Sequence, residues 1–262
     1  MEIGVWTQGS ETGVGVPIPF RRRGRAASCD GGDNPGMDAD PLDNPFWSSL
    51  RTRHRGIARV AGEVARYPAE YAPFLGIAHA ESELGDAADA LVAAGESVYL
   101  LGVAPATVPR GWTLQGFRPL AQMVRETPMD VVAGPDVLPL VDTDRAEVLA
   151  LTALVYPHYF RERTMALGRY FGIRVEGRLA AMIGERLGND GATELSAICT
   201  HPDFSGRGFA RRLTAWLGND VLAQGRMPFL HVSHENARAK ALYQRMGFRL
   251  RRDIGFWSLQ RT

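Results

Sequence analysis

The chain has very little cysteine: Cys29 and Cys199 are the two in 262 residues. A pair so widely separated excludes a disulfide framework and a cysteine-built zinc site, and it suits a reducing cytoplasm. Lysine is scarcer still, since Lys240 is the one lysine among 30 lysines and arginines. That bias reflects the base composition of a genome better than it reflects arginine chemistry. No run of about 18 apolar residues occurs, so nothing reads as a membrane span. Charge of one sign is lacking too: 30 basic and 29 acidic side chains leave a formal +1. There is thus no overall electrostatic reason to bind nucleic acid or an anionic membrane. What is present is an ordinary apolar content of 45%. The length predicts one large domain or two small ones.

Residues 1–36 differ from the rest. Glycine and proline fill 11 of these positions, and no apolar periodicity runs through them. Such a segment cannot bury enough surface to offset its ordering entropy, so a disordered tail is expected. Its Arg21-Arg22-Arg23-Gly24-Arg25 run is followed by Ala26-Ala27-Ser28-Cys29-Asp30, which lacks the apolar stretch of an export signal. Met37, directly after the tail, is an alternative start to Met1.

Residues 37–125 read as a smaller α/β N-terminal domain. Asp43 or Asn44 caps a helix opening at Pro45. Phe46, Leu50, Ile57, Val60, Val64 and Ala65 then recur at roughly helical spacing up to Tyr67-Pro68. A second helix is expected over 81–94, with Gly95 after its end. Val98 to Val103 reads as a buried strand, and 112–124 gives weaker strand signals. Trp47 and Trp112 read as core aromatics, and no acid, base and nucleophile gather here.

Residues 129–262 are more informative. Val131-Val132 and 137–140 flank a turn at Gly134-Pro135, and a helix capped by Asp142 or Thr143 follows, running to about Val155. Runs at 170–174 and 179–187 predict a hairpin around Glu176-Gly177. Glu194 to Thr200 is mostly apolar on both faces, as a central strand should be. Three antiparallel strands therefore precede His201-Pro202.

Ser205-Gly206-Arg207-Gly208-Phe209-Ala210 is a small-residue loop running into a helix striped by Phe209, Leu213, Trp216, Leu217 and Val221. Free N–H groups and roughly half a positive charge gather at such a helix start. That arrangement suits a phosphate or pyrophosphate, and Arg207 and Arg211 add full charge beside it. The loop lacks a P-loop lysine and the three-glycine spacing of a dinucleotide fold. A strand at 229–232 then leads to a helix on which Ala239, Leu242, Tyr243 and Met246 share a face, with Gly247 as cap.

Asn236, Ala239, Leu242, Tyr243, Gly247 and Phe248 match the pattern Asn-x-x-Ala-x-x-Leu-Tyr-x-x-x-Gly-Phe. With it, and with Gly208 and Ala210 of the loop, the chain resembles the GNAT superfamily of acyl-CoA-dependent N-acetyltransferases over 129–262. Ser205 departs from the family's usual glutamine or arginine, which removes a side-chain contact and leaves the backbone donors. The resemblance implies an α/β (α+β) GNAT fold, a mixed central sheet flanked by helices. Residues 37–125 would be a preceding unit, read also as a degenerate copy of the same fold although its motifs are absent.

By the same resemblance acetyl-CoA is the co-substrate, lying in a splay between strands 194–200 and 229–232. Backbone contacts come from Ile198, Cys199 and Thr200, and the Ile198 N–H polarises the thioester carbonyl. Within the cofactor loop Ser205, Gly206, Arg207, Gly208, Phe209, Ala210 and Arg211, pyrophosphate sits on the N–H groups of Arg207, Gly208, Ala210 and Arg211, Phe209 supports the loop, and Asn236 contacts the cofactor arm. Tyr243 stands where the family's general acid protonates the leaving thiolate. A base is needed because an amine of pKa about 10.4 costs about 4.6 kcal/mol to deprotonate at pH 7. Glu194, eleven residues before Ser205, holds a spacing at which some members carry a glutamate base. Glu185 is the runner-up, with His201 and His234 flanking the cleft. Cys199 reads as a buried strand cysteine, no histidine pair has metal-ligand spacing, and no Gly-x-Ser-x-Gly elbow occurs. The expected reaction is direct acetyl transfer to a primary amine of an unidentified acceptor in the cytoplasm, with neither nucleic acid nor membrane as partner. The rival is a non-catalytic acyl-CoA-binding module.

Overall fold

In the computed structural model, residues 40–155 and 157–262 are described. The tail expected over 1–36, the Met1 or Met37 question and Cys29 lie outside the described residues. Helix α1 (Pro45–Arg51) starts as expected, with proline in its first turn, but it stops well short of Ala65. The Thr52 N–H closes its last turn on Ser48 O, and the chain turns into β1 (Arg59–Ala61) and β2 (Val64–Arg66). Gly62, at φ +54, supplies the turn between those strands. Phe46 and Leu50 are buried on α1, whereas Val60 is exposed on a strand. The helical spacing beyond Arg51 was therefore coincidental. Strand β3 (Leu75–Ile77) completes an antiparallel three-stranded sheet, ordered β1-β2-β3. Helix α2 (Gly85–Leu91) is shorter than the expected span 81–94, and β4 (Ser97–Leu101), β5 (Trp112–Gly116) and β6 (Leu120–Val124) follow.

The second half runs β7 (Leu138–Leu140), α3 (Arg145–Val155), β8 (Tyr170–Val175), β9 (Arg178–Gly188) and β10 (Ala192–Thr200), with α3 ending ahead of Pro157. Then come α4 (Phe209–Ala223), β11 (Met227–Ser233), α5 (Ala237–Arg245), β12 (Arg249–Ile254) and β13 (Phe256–Arg261). The hairpin turn at Glu176 and Gly177 has both residues at positive φ, which matches the right-handed twist of its strands. Strands β8, β9 and β10 form the expected antiparallel meander.

The main sheet has seven strands in the order β12-β6-β11-β10-β9-β8-β7, and it is mixed, because β10 and β11 run parallel. Strand β6, from the first half, lies between β11 and β12. Strand β13, at the other end of the chain, pairs with both β4 and β5. Each half thus supplies a strand to the other's sheet, and the boundary expected at 125–129 falls just after a strand that pairs with the second half.

Two apolar layers enclose the main sheet. One, under α4 and α5, gathers Leu195, Ile198, Leu213, Leu217, Leu230, Ala239 and Tyr243. The other joins both halves, with Phe46, Tyr67, Phe74, Tyr159, Tyr170, Ala197, Cys199 and Phe229 in one cluster. A buried polar knot ties the halves there as well. His54 Nε2 lies 2.8 Å from Leu167 O, its Nδ1 lies 2.8 Å from the Tyr67 hydroxyl, and Gly188 N–H donates to Ser49 Oγ.

Candidate active site

The parallel register of β10 and β11 ends at Glu194 opposite Phe229, so from Leu195 onward the edge of β10 facing β11 has no ladder partner. On its other edge, β10 slips register against β9 between Ser196 and Cys199, and Ala197 adopts φ +49. That bulge leaves two residues opposite one and re-aims the backbone where the strands part. Buried Ile198, Cys199 and Thr200 follow it directly.

The loop after β10 behaves as its composition predicts. Gly206 and Gly208 take φ +81 and +78, and Gly208 is the N-cap of α4 with no side-chain cap. The first backbone bond is from the Arg212 N–H to Gly208 O. The N–H groups of Phe209, Ala210 and Arg211 are therefore the donors that a helix start leaves over. These three residues line a cleft of about 180 Å³ that reaches from Thr200 and the loop to Arg238, Leu242 and Arg245 on α5. Arg207, Arg211, Arg238 and Arg245 line the cleft, and among the described residues no carboxylate does. The motif-based reading did not single out Arg238 and Arg245. Their seven-residue spacing on one helix was the available signal.

Tyr243 is fully buried on α5, beside Phe248, with no hydrogen-bond partner for its hydroxyl among the described residues. Burial raises its phenol pKa, as does nearby Cys199. It stays protonated at neutral pH and has a proton to give. Burial also pushes the Cys199 thiol up to about 12, which leaves it an unreactive thiol. Asn236 lies at the N-terminus of α5, where its Oδ1 accepts from the Ala239 N–H. That oxygen does local capping work.

Glu194 does not present a free carboxylate. Arg186 donates to it through Nε at 3.0 Å and Nη2 at 2.9 Å, His231 Nδ1 lies 2.8 Å away, and the Leu187 N–H reaches it at 3.3 Å. Burial alone would raise its pKa, but the charge of Arg186 and then the contact with His231 hold it at about 2. A fully buried carboxylate engaged by three N–H donors and in contact with His231 differs from the free carboxylate that a directly acting base would present. The polar chain continues outward. Gln122 Nε2 contacts His231 Nε2 and donates to Leu42 O, and Gln122 Oε1 accepts from Arg251, which pairs with Asp40 and Asp43 near the surface.

The other candidates are engaged as well. Glu185 is buried between Arg53 and Arg169, and these hold its pKa down against the effect of burial. His234 pairs with Asp253, and His201 Nδ1 accepts from the Asp203 N–H. Sequence reasoning missed Arg186, His231 and Gln122. Each is a polar residue in a largely apolar strand, Arg186 directly after Glu185, and that was the signal.

The family described as FR47-like protein matches residues 170–257. A structure described as a GNAT-family acetyltransferase, from Novosphingobium aromaticivorans, is 31% identical. It covers 86% of this chain and all of its own, with a TM-score of 0.76. A GCN5-related N-acetyltransferase from Kribbella flavida shares the fold at 16% identity and a TM-score of 0.56, covering 80% of this chain and 93% of its own. No curated protein matches the sequence.

Proposed function

The chain belongs to the GNAT family of acyltransferases, and from that premise we propose that it moves an acetyl group from acetyl-CoA directly to a primary amine. The observation that carries the proposal is the meeting of three features at the end of β10. These are the unpaired strand edge, the arginine-lined cleft over the α4 N-terminus and the partnerless Tyr243 hydroxyl.

The cofactor's pyrophosphate is read onto the N–H groups of Arg207, Gly208, Ala210 and Arg211, where the helix dipole and four arginines favour it. The pantetheine amides pair with the open edge at Ile198 and Thr200, and the Ile198 N–H, at the bulge, polarises the thioester carbonyl. A neutral amine nitrogen forms a bond to the carbonyl carbon, the C–S bond breaks, and Tyr243 gives its proton to the departing thiolate. The proton lost by the nitrogen passes to solvent, and a proton taken from solvent restores the phenol. Glu194 holds Arg186 and His231 beneath this centre, and the amine's deprotonation falls to water. The expected cytoplasmic setting belongs to the same proposal.

The test is CoA release from acetyl-CoA with a panel of polyamines, aminoglycosides and peptides with free N-termini. Release dependent on one acceptor class supports the transferase. Tight acetyl-CoA binding without release on any amine would favour the acyl-CoA-binding module.

A further inference from the structure

On the face of the sheet away from α4 and α5, one buried hydroxyl is unused. Tyr170 opens β8 and is 2% exposed, and among the described residues its hydroxyl has no hydrogen-bond partner. Its ring lies across β9 at its paired residue Gly184, where an added Cβ would sit 2.2 Å from Cε1 and 2.6 Å from Cζ. Only a residue without a side chain at position 184 lets the phenol pass. Gly184 is paired in turn with Ser196, immediately before the bulge at Ala197. The row Tyr170, Gly184 and Ser196 therefore runs straight to the place where β10 and β11 part.

Two further observations fix which side of the reaction this is. Tyr170 shares a cluster with Ala197 and Cys199, whereas Tyr243 lies in the opposite layer with Ile198. Both phenols nonetheless lie within electrostatic reach of Cys199, and that of Tyr170 also lies within reach of Arg186 and Glu194. Two buried, partnerless hydroxyls thus flank one short stretch of β10 from opposite faces. The face with Tyr243 is the one onto which the arginine-lined cleft opens. A cofactor arm entering there occupies that side of the thioester, so an acceptor approaches from the other. A hydroxyl left unsatisfied in a core is destabilising, and a transient partner explains its retention.

Resting on the acetyl-transfer reading above, we propose that the Tyr170 hydroxyl is a catalytic contact to the acceptor, accepting a hydrogen bond from the attacking amine and aligning its lone pair on the thioester carbon. Tyr170 keeps its own proton throughout, since burial raises its pKa. The proton leaving the nitrogen passes to solvent, and the one reaching sulfur comes from Tyr243.

The experiment compares the wild-type protein with Tyr170→Phe. It measures acceptor kinetics on the amine panel, acetyl-CoA affinity by calorimetry and Tm. Phenylalanine keeps the ring over Gly184 and removes a partnerless oxygen, so Tm should hold or rise. The proposal expects kcat/KM for the acceptor to fall about tenfold, the worth of one hydrogen bond. The acetyl-CoA Kd should change less than about twofold. Unchanged acceptor kcat/KM in an active, folded variant overturns the assignment of Tyr170 alone. A loss confined to acetyl-CoA affinity overturns it too, by moving the hydroxyl to the cofactor. If the wild-type protein acetylates no amine while binding acetyl-CoA, the transferase reading fails and takes this contact with it.

Discussion

Arg186 grips Glu194 with two N–H groups, at 3.0 and 2.9 Å, and both side chains are buried. Removing one partner of such a pair strands the other's charge, typically at a cost of about 3 to 5 kcal/mol. Glu194→Gln should therefore lose stability of that order in urea unfolding. Raising the pH toward the amine's pKa should not selectively restore its activity. A stable Glu194→Gln protein whose rate recovers at high pH would return the carboxylate to the role of base.

The same carboxylate and His54 set an acid limit on stability. The Glu194 pKa falls from 4.5 to about 2, because Arg186 and His231 outweigh burial. The His54 pKa falls from 6.5 to about 4, chiefly through burial, although its bond to Leu167 opposes the shift. Both folded values are depressed, so each group contributes stability that is full above its unfolded value and lost as pH drops through its folded one. His54 acts between about 6.5 and 4, Glu194 between 4.5 and about 2. Each window is worth about 3 kcal/mol as an order of magnitude. Unfolding free energies measured from pH 7 to 4 should decline steadily, and a flat profile would mean that His54 is solvated.

Gly208→Glu should abolish acetyl-CoA binding by placing a carboxylate at the anion site. An added Cβ at Gly208 meets nothing within 4 Å, so the change is not a clash, although φ +78 makes any side chain strained. Gly208→Ala, which carries the strain of about 1 to 2 kcal/mol without the charge, should keep most affinity. Calorimetry on the pair separates the two effects, and equal losses would point to backbone strain.

Tyr243→Phe removes a buried oxygen without a partner, so the variant should be at least as stable as the parent. Turnover should fall about 10²- to 10⁴-fold with acetyl-CoA affinity intact. Full turnover on a good acceptor would reduce this tyrosine to packing.

A chain starting at Met129 should not fold. It would lack β6, the strand between β11 and β12, and leave β13 without β4 and β5. The full chain should unfold in one transition, and two separate melting steps would contradict the strand exchange.

Local signals were legible in the sequence and non-local ones were not. The β8 to β10 meander, the glycine loop and the Tyr243 helix each follow from spacing within a short segment, and each forms where expected. Strand periodicity says which face is buried but not which strand lies alongside. The exchange of β6 for β13 was therefore invisible. The fate of Glu194 was hidden for the same reason, since its partners Arg186 and His231 come from the strands on either side. The need for glycine at position 184 is set by the Tyr170 ring on the neighbouring strand, which no local signal reveals.

Initial velocities with acetyl-CoA and an acceptor amine varied together test the central claim most directly. Direct transfer requires both substrates on the protein at once, so double-reciprocal plots should intersect, with CoA released only when amine is present. Parallel lines, or a burst of CoA before any amine is added, would mean an acetyl-enzyme intermediate. That result would contradict the account, because Cys199, with its pKa near 12, is the nucleophile it excludes.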